Sequence, residues 1–203
     1  WGNGWHGLDA FGDPWNLILG FAVLFLARLL GNLYFINNIR HEELNARFRR
    51  QLIADVVPFL VFFLAFVIRT LLKDGFAVNP DNGLIVMEPF KYFHNLIEMP
   101  YLLILFLIGV VGVLYGIGKS IFCKTYTRGI WFAGIGTVLT VLALLLVAGY
   151  NHTAYYPSTA DLQSSLTIAN SCSSQFTLKT MAYVSILVPF VLAYIIYAWR
   201  AID

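Results

Sequence analysis

Two residues carry charge where charge is costly. Arg28, in FLARLLGNLYFIN, and Asp55, in QLIADVVPF, both fall inside long apolar stretches. An unpaired charge at the centre of a membrane helix costs on the order of 3 kcal/mol or more, so such residues are paired, functional or both. Two chemistries fit. One is an intramembrane ion pair between antiparallel neighbouring helices, with the arginine stem bridging a few ångströms of depth. The other is a proton relay through Asp55. Arg69 lies near the far end of the same stretch as Asp55 and reads as an interfacial anchor that snorkels, or as a partner for Glu88 or Glu98.

Other reactive residue types are scattered. His6, His41, His94 and His152 all lie outside the apolar stretches, and none is four residues from another, so metal or haem ligation by this chain alone is not expected. Cys123 and Cys172 fall at opposite ends of spans, which excludes a disulfide between them, and neither has metal-ligand spacing. There is no phosphate-binding loop, dinucleotide fingerprint, nucleophile elbow or zinc helix. Asn151-His152-Thr153 matches a glycosylation sequon that matters only in a eukaryotic secretory setting.

The elements that must position Arg28 and Asp55 are five apolar stretches, at 15–36, 52–72, 100–122, 130–150 and 180–199. Each holds the roughly 20 residues that an α-helix, rising about 1.5 Å per residue, needs to cross a hydrocarbon core. Composition agrees: 59% of residues are hydrophobic and 12% charged, too few charges to cover a water-soluble surface. The fold class is therefore all-α, a polytopic transmembrane helix bundle of five spans forming a single transmembrane domain over 1–203. A net charge of +2 gives no reason to expect nucleic acid.

Charge placement orients the spans. Arg40, Arg47, Arg49 and Arg50 follow the first, Lys119, Lys124 and Arg128 lie between the third and fourth, and Arg200 ends the fifth. With alternating spans all fall on one side, and the positive-inside rule makes that side cytoplasmic. The N-terminus is then outside and Asp203 inside. The opening WGNGWHGLDAFGDP resembles neither a signal peptide nor a start, and reads as an external loop continuing from upstream spans. The segment 74–99, rich in Phe, Tyr, Pro and His, reads as an aromatic interface segment on the bilayer surface. Within the spans, Pro58 and Pro189 free a backbone carbonyl each. Gly112 and Gly116, in a run with Gly109 and Gly118, set two small residues on one face for close helix approach.

The last third has a more specific pattern. Tyr155-Tyr156-Pro157-Ser158-Thr159 is followed by Ser164-Ser165-Leu166-Thr167-Ile168-Ala169-Asn170, then by Ser173-Ser174-Gln175-Phe176-Thr177-Leu178-Lys179-Thr180-Met181, leading into a span with Val188-Pro189 and Tyr194. This resembles the closing region of subunit II of the cytochrome bd quinol oxidases. Ala27-Arg28 and Leu33-Tyr34-Phe35-Ile36-Asn37-Asn38 fit the family more weakly. The resemblance implies the last five helices of an eight-helix subunit in the bacterial cytoplasmic (inner) membrane. It implies a haem-bearing subunit I as partner, with haem b and haem d held there and none bound directly by this chain. Quinol is then the substrate of the complex, with membrane lipid and a small accessory single-span subunit as further partners. The family's proton-delivering acidic residues lie in its first helices, so none is carried over here. Half of a secondary transporter or channel is the alternative, with Arg28, Asp55 and broken helices lining a path.

Overall fold

The computed structural model describes residues 11–80, 82–158 and 160–202. His6, Thr159 and Asp203 lie outside them. Five long helices carry the five apolar stretches: α1 (Pro14–Asn38), α2 (Glu42–Leu72), α4 (Pro100–Phe122), α5 (Gly129–Gly149) and α7 (Gln175–Ile202). Each is long and apolar enough to cross a membrane, and the chain is a multi-pass membrane protein. Between them come β1 (Gly75–Val78), β2 (Ile85–Glu88), α3 (Lys91–Glu98) and the short α6 (Ile168–Ser171).

Helix starts follow local chemistry. Pro14 opens α1 at a position where its missing N–H costs nothing, and the Asp13 carboxylate caps it by accepting from the Trp15 N–H. α2 begins ten residues before its apolar part, with Glu42 and Glu43 in the first turn, where negative charge suits the helix dipole. Its basic stretch is thus the first three turns of a helix. Pro58 and Pro189 lie within helices that run through them.

α1 pairs with α2 and α4 with α5, and the two hairpins pack together as a four-helix bundle. We call the end holding the 39–41 and 123–128 turns the basic end. Leu29, Leu33, Ile36, Leu52, Ile117 and Ala133 form its core, each at most 2% exposed. The α4–α5 contact is closer than side chains normally allow. A Cβ on Gly109 would lie 2.5 Å from Thr140 Oγ1, one on Gly116 2.6 Å from the Gly129 carbonyl oxygen, and one on Gly136 2.6 Å from the Gly109 carbonyl oxygen. Gly112 is looser, at 3.3 Å from Gly136 Cα. The tight contacts of the expected small-residue face are therefore Gly109 and Gly116, and α5 answers with Gly129, Ala133 and Gly136. Where lipid tails are as apolar as leucine, such backbone approach is what draws helices together.

The other end carries a cap. β1 and β2 form an antiparallel hairpin with Gly75 opposite Glu88, turning through Gly83 at φ +69°. The chain leaving α5 joins its open edge: Val78 N–H donates to the His152 carbonyl and Ala154 N–H to that of Phe76. Asn151 and His152 reach this register through left-handed backbone, φ +57° and +53°, a conformation asparagine tolerates better than most residues. Gln163 then fastens the later loop, its amide accepting from Ile85 N–H and donating to Ile85 C=O, both at 2.9 Å.

The 74–99 segment, expected as an aromatic stretch on the bilayer surface, is folded as a cap of a hairpin and a short helix. Lys91, Tyr92 and Asn95 turn inward: Lys91 pairs with Glu88 of the same segment, and α5 with the 151–154 segment supplies the partners of Asn95. α7 stands apart: none of its residues is buried, and Tyr183, Tyr194, Tyr197 and Trp199 are at least 70% exposed.

The glycine contacts carry an expectation. Gly136→Val should destabilise the protein by about 1–3 kcal/mol, the usual cost of forcing atoms into a packed site, whereas Gly118→Ala, with nothing within 4 Å, should be neutral. Thermal unfolding midpoints in detergent check this, and equal midpoints for the two variants would mean that the helices do not approach so closely.

Candidate functional site

The polar residues inside the bundle gather at one place. Asp55 is 2% exposed. Arg28 approaches it as a fork, with Nη2 3.0 Å from Oδ1 and Nε donating to Oδ2 at 3.3 Å. Two neutral groups complete the shell. Asn32 Nδ2 donates to Oδ2 at 3.3 Å and Gln51 Nε2 to Oδ1 at 3.1 Å. The carboxylate thus accepts three hydrogen bonds and makes one further ion-pair contact, so that both of its oxygens are engaged, as a buried charge requires.

Helix geometry makes the cluster. Arg28 and Asn32 lie four apart on α1, Gln51 and Asp55 four apart on α2, so each helix presents two polar residues on one face. Sequence reasoning singled out Arg28 and Asp55 because they are charged. Asn32 and Gln51 escaped it, although the four-residue spacing was the signal. Arg28 is not enclosed: about half of its side chain is exposed, with its guanidinium carbon 5.8 Å from the centre of the Phe25 ring. The arrangement suits holding a negative charge in place. A path for protons would need a carboxylate free to exchange partners.

A second constellation lies one helical turn and a half toward the basic end. Arg49, on the face of α2 next to α4, donates to four backbone carbonyls of the other hairpin: those of Ser120, Cys123 at 3.1 Å, Lys124 at 2.9 Å and Tyr126 at 2.9 Å. These carbonyls lie at the C-terminal end of α4 and in its following turn, where the helix dipole also favours a cation, and that of Cys123 also accepts from Tyr126 N–H. The sequence showed Arg49 only as one member of a basic run. Which of Arg47, Arg49 and Arg50 faces the bundle depends on helix rotation.

At the capped end, Asn95 is fully buried. Its amide donates to the Val147 carbonyl at 2.9 Å and to Thr153 Oγ1 at 2.8 Å, while its oxygen accepts from Asn151 Nδ2 at 3.0 Å. Asn151 also donates to Glu98. Glu88 pairs with Lys91 Nζ and His94 Nδ1, both at 3.1 Å. Its burial pushes the carboxyl up, but the hydrogen bonds from His94 and Lys91 outweigh this and hold it below the ordinary range. Arg69 therefore does not pair with Glu88 or Glu98. It packs over the Trp15 ring at 5.4 Å, a cation–π contact.

The other reactive types stay apart. His41 caps α2 by accepting from Leu44 N–H, His94 rests on Glu88, and His152 is exposed at the end of α5. Cys123 and Cys172 are free thiols. Among the described residues no three of His, Cys, Asp or Glu converge as a metal site would require.

Comparison with known proteins gives this geometry its setting. The family model described as cytochrome bd terminal oxidase subunit II matches residues 2–202, and the chain belongs to that family. Cytochrome bd-I ubiquinol oxidase subunit 2 from each of three Escherichia coli strains is 27% identical over 195 residues, covering 90% of this chain. The chain spans about half, 50%, of the length of these relatives. Nothing in the comparisons favours a transporter or channel.

The Arg28–Asp55 contact predicts non-additive mutants. Arg28→Ala leaves a buried carboxylate with two neutral donors, and should cost on the order of 2 kcal/mol, discounted from a fully buried pair because half of Arg28 is open. The double variant with Asp55→Ala should cost less than the sum of the two single variants. Additive losses in unfolding midpoint would show that the two charges do not support one another.

Proposed function

We propose that this chain is part of subunit II of a cytochrome bd-type terminal oxidase, pairing with a haem-bearing subunit I to oxidise quinol and reduce oxygen to water. The observation that carries the reading is the family match over residues 2–202, on a chain whose long helices are all apolar enough to span. Within that assembly we assign this chain a scaffold role. The family implies haem b and haem d, and the residues present do not fit an axial site within the bundle. The described histidines, 41, 94 and 152, lie at helix ends or in the cap. The polar groups of the bundle interior, Asp55, Ser120 and Thr140, are already engaged by Arg28 or by backbone carbonyls. A haem iron needs a free imidazole, thioether or thiolate. We therefore place the haems in the partner and route no step of the chemistry through this chain.

What this chain contributes is a four-helix block whose buried carboxylate, Asp55, is paired with Arg28. In α7 it also offers a helix whose aromatic residues are free to meet the rest of the assembly. The basic end, with Arg40, Arg47, Arg50 and Lys124 beside the Arg49 contact, we assign to the cytoplasmic side of the inner membrane. The cap is then external. One transmembrane domain covers the chain, and membrane lipid and a small single-span subunit complete its surroundings.

The experiment is co-expression of the full-length protein with its haem-bearing partner. The purified pair should show the reduced-minus-oxidised bands of b- and d-type haem and take up oxygen with quinol, and both should persist, per assembled complex, when His94 or His152 is replaced by alanine. Loss of a haem band in either variant, with the complex still assembled, would place a ligand on this chain. A haem-free assembly that moves a solute would refute the oxidase reading.

A further inference from the structure

The two hairpins meet closely at the basic end and part toward the cap, leaving an apolar cleft inside the bundle. All four bundle helices line its inner chamber, of about 100 Å³, with Ala22, Leu26, Phe63, Val110 and Val141 among the walls. A second chamber, of about 170 Å³, runs between α2, α5 and α3 and ends at Tyr92 and Leu96. Phe66 and Leu144 line both chambers, so the two adjoin along the cleft. From Phe59 to Leu71 along α2 it extends about 18 Å at the helical rise.

The chemistry of the lining restricts the occupant. Three hydroxyl residues face the cleft and all are spent on their own helices: Thr70 donates to Phe66 C=O, Thr137 to Ala133 C=O and Thr140 to Gly136 C=O, at 2.7–2.8 Å. A water needs two to four polar partners, and along this length it would find only scattered hydroxyl oxygens whose donors are already used. An empty cleft would forfeit dispersion contacts on every wall. Elongated hydrocarbon satisfies both demands.

The cap end differs. Tyr92 is 8% exposed, lines the cleft, and among the described residues its hydroxyl has no hydrogen-bond partner. Burial pushes its phenol up, so the group remains a donor. It belongs to the short amphipathic α3, which lies between the hairpin of the cap and the start of α4.

We infer that this cleft is a binding site for one acyl chain of a membrane phospholipid, held end-on with its ester carbonyl accepting from the Tyr92 hydroxyl and its methylenes running down between α2 and α5. An acyl ester matches in both respects: a linear tail with no polar atoms, and an acceptor at its head-proximal end. The lipid would fill the gap between the hairpins and so bind the cap to the bundle. This inference does not depend on the oxidase reading.

The test is photolabelling of the full-length protein, with the chains that accompany it, in phosphatidylethanolamine and phosphatidylglycerol vesicles. The probe is a phosphatidylcholine bearing a diazirine at the end of one acyl chain. Mass spectrometry should find label on inward residues of the inner chamber, Phe63 and Leu26, besides the lipid-facing Val57 and Val61. Tyr92→Phe should weaken the inward labelling about five-fold, one hydrogen bond's worth. Ala148→Leu, which fills the outer chamber, should weaken it roughly ten-fold. Label on Val57 and Val61 should stay constant, showing each variant folded and inserted. Wild-type label confined to Val57 and Val61 would overturn the proposal. So would inward label displaced by a polyprenyl quinone but not by excess phospholipid, which would give the cleft to a different lipid.

Discussion

The Arg49 guanidinium is the contact on which the bundle depends. The end of α4 leaves backbone carbonyls without intrahelical donors, at the edge of a medium that offers no water deeper in. One side chain from the opposite hairpin reaches that of Ser120 and three more in the turn that follows. Only a planar fork with five donors can do so. Lysine presents a point charge on a flexible stem. The interaction joins the α1–α2 hairpin to the α4–α5 hairpin, and it lies directly below the apolar core around Leu33 and Ile117. Packing is closest at this end and loosens away from it.

The same rule of internal satisfaction recurs at each level of the bundle. Asp55 is answered by Arg28, Asn32 and Gln51. The span threonines return their hydroxyls to the preceding turn. Asn95 ties α3 to α5 and to the segment after it. In a bilayer an unpaired polar group has no solvent to fall back on, so each of these contacts contributes fold specificity even where its net energy is small.

The legible parts of the sequence were those with a long-range compositional signature. Spans announce themselves by length and hydropathy, and Arg28 and Asp55 by being charged within them. The glycine face of α4 was readable as well, although the structure places the tight contacts at Gly109 and Gly116 and makes Gly112 the looser one. Arg49 was hidden among neighbouring arginines, since helix rotation decides which of them faces inward. The cap was missed for a different reason. Asn82-Gly83 between Val- and Ile-bearing runs is a hairpin signal, but the strand edge is completed by residues 152–154, more than 60 positions later. Nothing local in 74–99 discloses that Lys91, Tyr92 and Asn95 will be covered from there.

Hydrogen–deuterium exchange at the basic end tests the central claim, that Arg49 docks one hairpin on the other. In the full-length protein, Arg49→Ala should speed exchange of the amides of the 123–128 turn and of the first turn of α5, and Arg49→Lys should restore only part of the protection. Exchange there that is the same in wild type and Arg49→Ala would contradict the account, and the hairpins would have to be held together by apolar packing alone.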